Sequence, residues 1–171
     1  AFARVAPHRA DARLGILGDG PLRPLLERQA RQAGLGARVL FEGAQPPEQV
    51  ADWLARAAVV AIPSHTARDG DAEGLPNIAL EAAAAACPVV ATRHMGLPEA
   101  VVDKQTGLLV REGAVAALGD AILMLLASPR RAAVMGEAGR ALMQSRFAFT
   151  DQMARLETLY DTMRATSGRS P

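Results

Sequence analysis

The sequence predicts an α/β fold, a Rossmann-like doubly wound parallel sheet with helices at its C-terminal end. Three observations carry this. Short β-branched or leucine-rich runs alternate with longer helical stretches. The runs are nearly all apolar, as strands covered on both faces are. Glycine and proline punctuate the joins. Right-handed crossovers then wind the helices onto both faces of the sheet.

Each element has a local reason. Arg13–Leu17 reads as a strand running into Gly18-Asp19-Gly20. Pro21 sits where a helix opens, and Leu22, Leu25, Leu26 and Gln29 follow at helical spacing until Gly34 and Gly36. Arg38–Phe41 is a second strand, followed by Gly43 and a helix over Pro47–Arg56. Ala58–Ile62 is a third strand, stopped by Pro63. A polar loop, His65–Gly74, leads to a helix over 76–86, with Pro76 presetting its first φ. Pro88–Ala91 and Leu108–Val110 are the fourth and fifth strands. Helices are expected over 115–127, 129–144 and 150–165. The whole reads as one domain, residues 1–165, with a tail over 166–171.

Composition narrows the function. Nineteen basic against eighteen acidic side chains leave a net charge of +1 in 171 residues, which argues against a nucleic-acid partner. One cysteine, Cys87, excludes an internal disulfide and a cysteine-based zinc site, and fits a reducing, cytoplasmic compartment. Cys87 itself reads as a small core residue. No apolar run approaches the roughly 20 residues that span a bilayer.

Ligands of such sheets bind beyond the carboxyl ends of the strands, so the loops 18–20, 42–46, 63–75 and 92–98 are the places to search. Gly15 to Gly20 is spaced G-x-x-G-x-G, not as a dinucleotide fingerprint, and carries Asp19 where a pyrophosphate needs room. Asp69–Gly74 begins like a calcium loop, but Leu80 stands where the bidentate glutamate belongs. Ser64 lacks the nucleophile-elbow context. His8, His65 and His94 show no metal spacing, and the two loop histidines read as solvated surface residues.

The strongest candidate is Glu73-Gly74-Leu75-Pro76-Asn77-Ile78-Ala79-Leu80-Glu81. Two carboxylates lie eight residues apart, one before a helix and one in its second turn. Between them the N–H groups of about Asn77, Ile78 and Ala79 are free to meet an anion. Anion donors flanked by hydroxyl acceptors suit a sugar–diphosphate–ribose ligand; a capped helix with a surface glutamate is the plainer alternative.

The ordered set of motifs resembles the C-terminal, donor-binding domain of GT-B glycosyltransferases of family four, the glycosyl transferases group 1. Leu14–Arg23, Arg38–Gly43, Ala61–Ser64, Glu73–Glu81, Pro88–Thr92, Gly96–Val101 and Thr106–Val110 carry the resemblance, and Arg146–Tyr160 fits it as well. By that resemblance Glu73 is the catalytic-site carboxylate, contacting hydroxyls of the donor sugar, and Glu81 binds the ribose. Backbone groups of Gly74, Leu75, Pro76, Asn77 and Ile78 line the phosphate and sugar, and those of Leu40 and Phe41 meet the base. The resemblance implies a retaining reaction by front-face attack, in which the leaving phosphate takes the acceptor's proton and Glu73 stabilises charge without a covalent adduct. It implies no metal and no cofactor, the nucleotide-diphosphate sugar being a substrate. The acceptor, a glycan, lipid or small molecule, belongs to an N-terminal domain outside this chain. The setting implied is polysaccharide or glycolipid biosynthesis, cytoplasmic or at a membrane in the full-length protein.

Three departures stand out. Ala86 and Met95 occupy positions where the family carries glycine. The chain also begins after the family's opening Gly-Arg strand and Lys-Gly turn, which grip the diphosphate; Lys104 is not that lysine. The missing strand is central in the 3-2-1-4-5-6 order. The expectation is therefore a gap between Leu14–Leu17 and Ala58–Ile62, filled by other polypeptide or leaving the isolated chain poorly stable and inactive. Alternatives are a non-catalytic nucleotide-sugar-binding scaffold and a nucleotide-sugar epimerase-like relative.

Overall fold

The computed structural model describes residues 1–167, so residues 168–171 of the expected tail lie outside the described residues. The elements run α1 (Phe2–Val5), β1 (Leu14–Leu17), α2 (Arg23–Gln32), β2 (Val39–Gly43), α3 (Pro47–Arg56), β3 (Val60–Ile62), α4 (Asn77–Ala84), β4 (Val89–Thr92), α5 (Leu97–Ala100), β5 (Gly107–Val110), α6 (Val115–Ala127), α7 (Pro129–Arg146) and α8 (Phe149–Ser167). All five expected strands form, and every strand pair is parallel. The last helix runs two residues into the segment expected as tail.

The strands do not make one sheet. β1 pairs with β2, and β3, β4 and β5 pair in that order as a second sheet. Among the described residues no hydrogen-bonded ladder joins β1 to β3, the junction where the sequence places a gap. Burial follows the split. β4 is buried at every position, whereas all four residues of β1 are only half-buried. The strands of the larger sheet alternate their faces. Val89, Ala91 and Leu109 point into a cluster with Ala79, Ala82, Leu97 and Leu54. Val90 and Leu108 point the other way, to Leu118, Leu125 and Met135. Helices thus cover both faces, as a doubly wound sheet requires.

The small sheet is less well covered. Leu22, Leu25 and Leu26, whose spacing predicts a core-facing stripe, are exposed, and α2 buries no residue. Helical periodicity specifies a face, and here the leucines on that face stay exposed. The helix also starts at Arg23 rather than Pro21, because Gly20 to Arg23 closes a turn first, the Arg23 N–H donating to the Gly20 carbonyl at 3.1 Å. One tie between the two sheets is α3. The Trp53 ring lies so near Gly15 that a Cβ there would stand 2.6 Å from it, while Leu54 and Val50 join the larger core. Arg38 secures the N-terminal segment, its guanidinium donating to the Ala6, Arg9 and Ala12 carbonyls and lying 5.6 Å from the Phe2 ring centre.

The helix that carries the candidate site is fixed at both ends. At its C-terminus the Cys87 N–H donates to the Ala82 carbonyl and the Ala86 N–H to Ala83, both at 2.9 Å. This is the Schellman closure, in which the residue after the cap takes the left-handed conformation usually given to glycine. Here that residue is Ala86, at φ 54°. Gly136 of α7 packs directly on the Ala86 carbonyl, leaving no space for a Cβ.

Candidate functional site

The site lies at the carboxyl end of the larger sheet, where β3 and β4 hand over to loops. β3 runs through 63–76 into α4. Within that segment the Ala67 N–H donates to the Asp71 carbonyl at 2.8 Å, Gly70 donates back to Ala67, and the Asp69 carboxylate accepts from the Asp71 N–H. The acidic loop thus uses its groups to fold itself. Among the described residues no group of three or more His, Cys, Asp or Glu is placed to hold a metal ion.

Pro76 is buried and extended, at φ −60° and ψ 126°, and caps α4 instead of opening it. Its ring presets φ as expected, but its ψ turns the chain from loop into helix, so the first helical residue is Asn77. No side chain caps this end. The Ala79 N–H donates to the Pro76 carbonyl at 3.0 Å, so of the three expected donors Ala79 is used. The N–H groups of Asn77 and Ile78 remain at the exposed start. Glu73 and Gly74 stand exposed before the helix, Leu75 is half-buried, and Glu81 is exposed one turn in. Neither carboxylate makes a hydrogen bond or ion pair among the described residues.

Leu40 and Phe41 lie on the other sheet. Leu40 is exposed and Phe41 half-buried. The Phe41 carbonyl accepts from Arg23 Nη2 at 3.0 Å, and the same guanidinium meets Glu27 at 3.0 Å and Asp19 at 3.5 Å. The structure therefore brings Glu73–Glu81 together as one contiguous surface and leaves Leu40–Phe41 apart from it, on the far side of the unpaired β1–β3 junction.

The end of β4 and the turn into α5 hold the segment after β3 directly at two points, and at a third through Glu112. Thr92 Oγ1 donates to the Ser64 carbonyl at 2.6 Å. The Gly96 N–H donates to the Gly74 carbonyl at 2.8 Å, an approach so close that a Cβ on Gly96 would stand 3.0 Å from the Leu75 Cβ. Between them lies His94. Contrary to the sequence expectation of a solvated residue, His94 is 3% exposed, because the chain turns it inward after the buried strand β4. His65 is exposed as expected. His94 Nδ1 is 3.1 Å from Glu112 Oε2, and Glu112 Oε1 accepts the Thr66 N–H at 2.6 Å. The Thr66 amide first, and then His94, hold the Glu112 carboxyl below the usual carboxylate range. Both His94 and Glu112 follow the end of a buried strand, in loops at the ligand side of the sheet, and that position was the signal that could have singled them out. Met95, next in the turn, is held at φ 41° with its side chain 61% exposed.

Comparisons with known proteins give the family and the fold. Residues 1–128 match the family described as glycosyl transferases group 1. The chain is 41% identical over 150 residues to the GDP-mannose-dependent alpha-(1-6)-phosphatidylinositol monomannoside mannosyltransferase of Mycolicibacterium smegmatis, covering 87% of this chain and 39% of that protein. Its fold is similar to that of sucrose-phosphate synthase from Thermosynechococcus elongatus, with TM-score 0.80 and 30% identity over 96% of this chain and 42% of that one. It is also similar to the C-terminal domain of a glycosyl transferase group 1 family protein from Francisella tularensis, with TM-score 0.75 and 25% identity over 86% of this chain and 78% of that one. The chain thus spans about two fifths of the length of the curated mannosyltransferase it matches.

Proposed function

The chain belongs to the glycosyl transferases group 1 family, and from that premise we propose that it forms the donor-binding half of a retaining glycosyltransferase. The reaction moves a hexose from a nucleotide-diphosphate sugar to an acceptor hydroxyl. One observation carries the reading. Two exposed carboxylates without intramolecular partners flank a helix start whose Asn77 and Ile78 N–H groups are uncapped. Backbone N–H groups at a helix start favour phosphate, and free carboxylates accept from sugar hydroxyls.

The roles follow from position. Glu73, at the mouth of the loop, accepts from donor-sugar hydroxyls and stabilises charge as the glycosidic bond breaks. The backbone of Gly74, Leu75, Pro76, Asn77 and Ile78 lines the diphosphate, and Glu81 holds the ribose. Leu40 and Phe41 meet the base, which requires the two sheets to face one cleft. The leaving phosphate takes the acceptor's proton, so no side chain of this chain has to act as general base. No metal or cofactor takes part. Acceptor choice, a glycan, lipid or small molecule, is expected from the remainder of the full-length protein. The 171 residues alone are expected to give no turnover. Among the described residues no helix is long and apolar enough to cross a membrane.

GDP-mannose, the donor named for the mannosyltransferase relative, is the first to test, with UDP- and ADP-sugars beside it. In the full-length protein Glu73→Ala should lower kcat by about 10²–10³-fold. Glu81→Ala should instead raise donor KM by about tenfold, the loss of a hydrogen bond to a charged group. Wild-type kinetics for Glu73→Ala would refute the assignment. A second reading, a non-catalytic nucleotide-sugar-binding domain, is favoured by Met95, whose exposed side chain stands in the turn that touches Gly74. It predicts donor binding without product from any donor.

A further inference from the structure

The geometry points to His94 as a positioning residue of the donor site, acting through Glu112 to lock the loop that carries Glu73 against the carboxyl ends of β4 and β5. This rests on the assignment of the donor site to residues 73–81.

The bonds form a relay across three segments. His94 belongs to the turn after β4, Glu112 follows β5, and Thr66 belongs to the loop after β3. One carboxylate joins them, taking His94 Nδ1 at 3.1 Å on one oxygen and the Thr66 N–H at 2.6 Å on the other. The neighbouring bonds, Thr92 Oγ1 to the Ser64 carbonyl and the Gly96 N–H to the Gly74 carbonyl, fix the two ends of the same loop. His94 and Glu112 hold the stretch between those ends.

A second feature separates this role from simple packing. His94 Nε2 is buried with no hydrogen-bond partner among the described residues. A buried polar nitrogen left unpaired is unfavourable. If the position served only to fill space, leucine would do so without that penalty. The bond made by Nδ1 is what histidine adds there. A loop held in its binding geometry before the ligand arrives loses less freedom on binding, so the clamp acts on donor affinity.

The test uses the full-length protein and four variants: His94→Leu, His94→Asn, Glu112→Ala, and His94→Leu with Glu112→Ala. Three quantities are read: the unfolding midpoint, amide exchange over residues 64–75, and donor KM and kcat. His94→Leu should keep the unfolding midpoint, speed exchange of the Thr66 amide at least about tenfold, and raise donor KM about tenfold with kcat within about threefold. Glu112→Ala should do the same. The double variant should be no worse than either single one, because both remove one relay. His94→Asn, whose side-chain N–H can take the place of Nδ1–H, should recover most of the KM. Multiplying losses in the double variant, or faster exchange with an unmoved KM, would overturn the proposal. A wild-type protein that binds and transfers no nucleotide sugar would refute the donor-site reading instead.

Discussion

Ala86→Gly should stabilise the protein. Ala86 sits at φ 54°, in the left-handed position that closes α4. An L-residue in that conformation is disfavoured by about 1–2 kcal/mol. Glycine removes the strain, but its greater freedom in the unfolded chain offsets about 0.4–1 kcal/mol of the gain. The net expectation is roughly 0.5–1 kcal/mol in favour of glycine, or about 1–4 °C in Tm for a domain of this size. The backbone cannot relax out of the strain. The Ala86 carbonyl is pressed against Gly136, and the Cys87 and Ala86 N–H groups are both engaged. Urea unfolding followed by circular dichroism is the assay, and a higher midpoint with an unchanged slope is the expected result. Ala86→Val should lose about 1 kcal/mol or more, since branching at Cβ worsens the same conformation. An unmoved or lowered midpoint for Ala86→Gly, with Ala86→Val equal to wild type, would refute the strain argument.

Met95→Gly relieves the same kind of backbone strain, at φ 41°, but within the site. Its stability should rise as for Ala86→Gly, and donor KM should fall because the exposed side chain leaves the turn against Gly74; a KM that stays put shows that Met95 does not face the donor. Burial pushes the Cys87 thiol up from 9.0 to about 11, so the native thiol should resist alkylation near about pH 8 and react only on unfolding. Because the folded state favours the protonated thiol, its contribution to stability is complete below about pH 9 and is lost as pH rises toward about 11, a slope that Cys87→Ala should abolish in alkaline unfolding curves. In the 171-residue chain taken alone, the amides of β1 should exchange much faster than those of β4, since β1 has one paired edge and β4 has two. Equal protection of the two strands would show that the unpaired junction is closed in solution.

Much of the fold was legible because the information is local. Apolar runs between glycine and proline marked all five strands, and the Glu73 to Glu81 stretch marked the helix start with its two carboxylates. The family resemblance marked Ala86 and Met95 as positions where glycine is usual, and both take positive φ. Other features depend on partners far along the chain. The stripe of Leu22, Leu25 and Leu26 has helical spacing, yet spacing does not supply a surface to bury it against, and the leucines stay exposed. His94 looks like any loop histidine until the ends of β3, β4 and β5 converge around it and Glu112 closes the relay.

Local propensity and hydrophobic periodicity are properties of neighbouring residues, so the sequence by itself determined the five strands, the longer helices and the helix start between Glu73 and Glu81. Pairing, burial and the reach of one side chain to another are properties of segments brought together only by folding. Tertiary structure therefore decided that Leu22, Leu25 and Leu26 stay exposed, that Ala79 is not a free donor, and that a buried histidine stands behind the carboxylate loop.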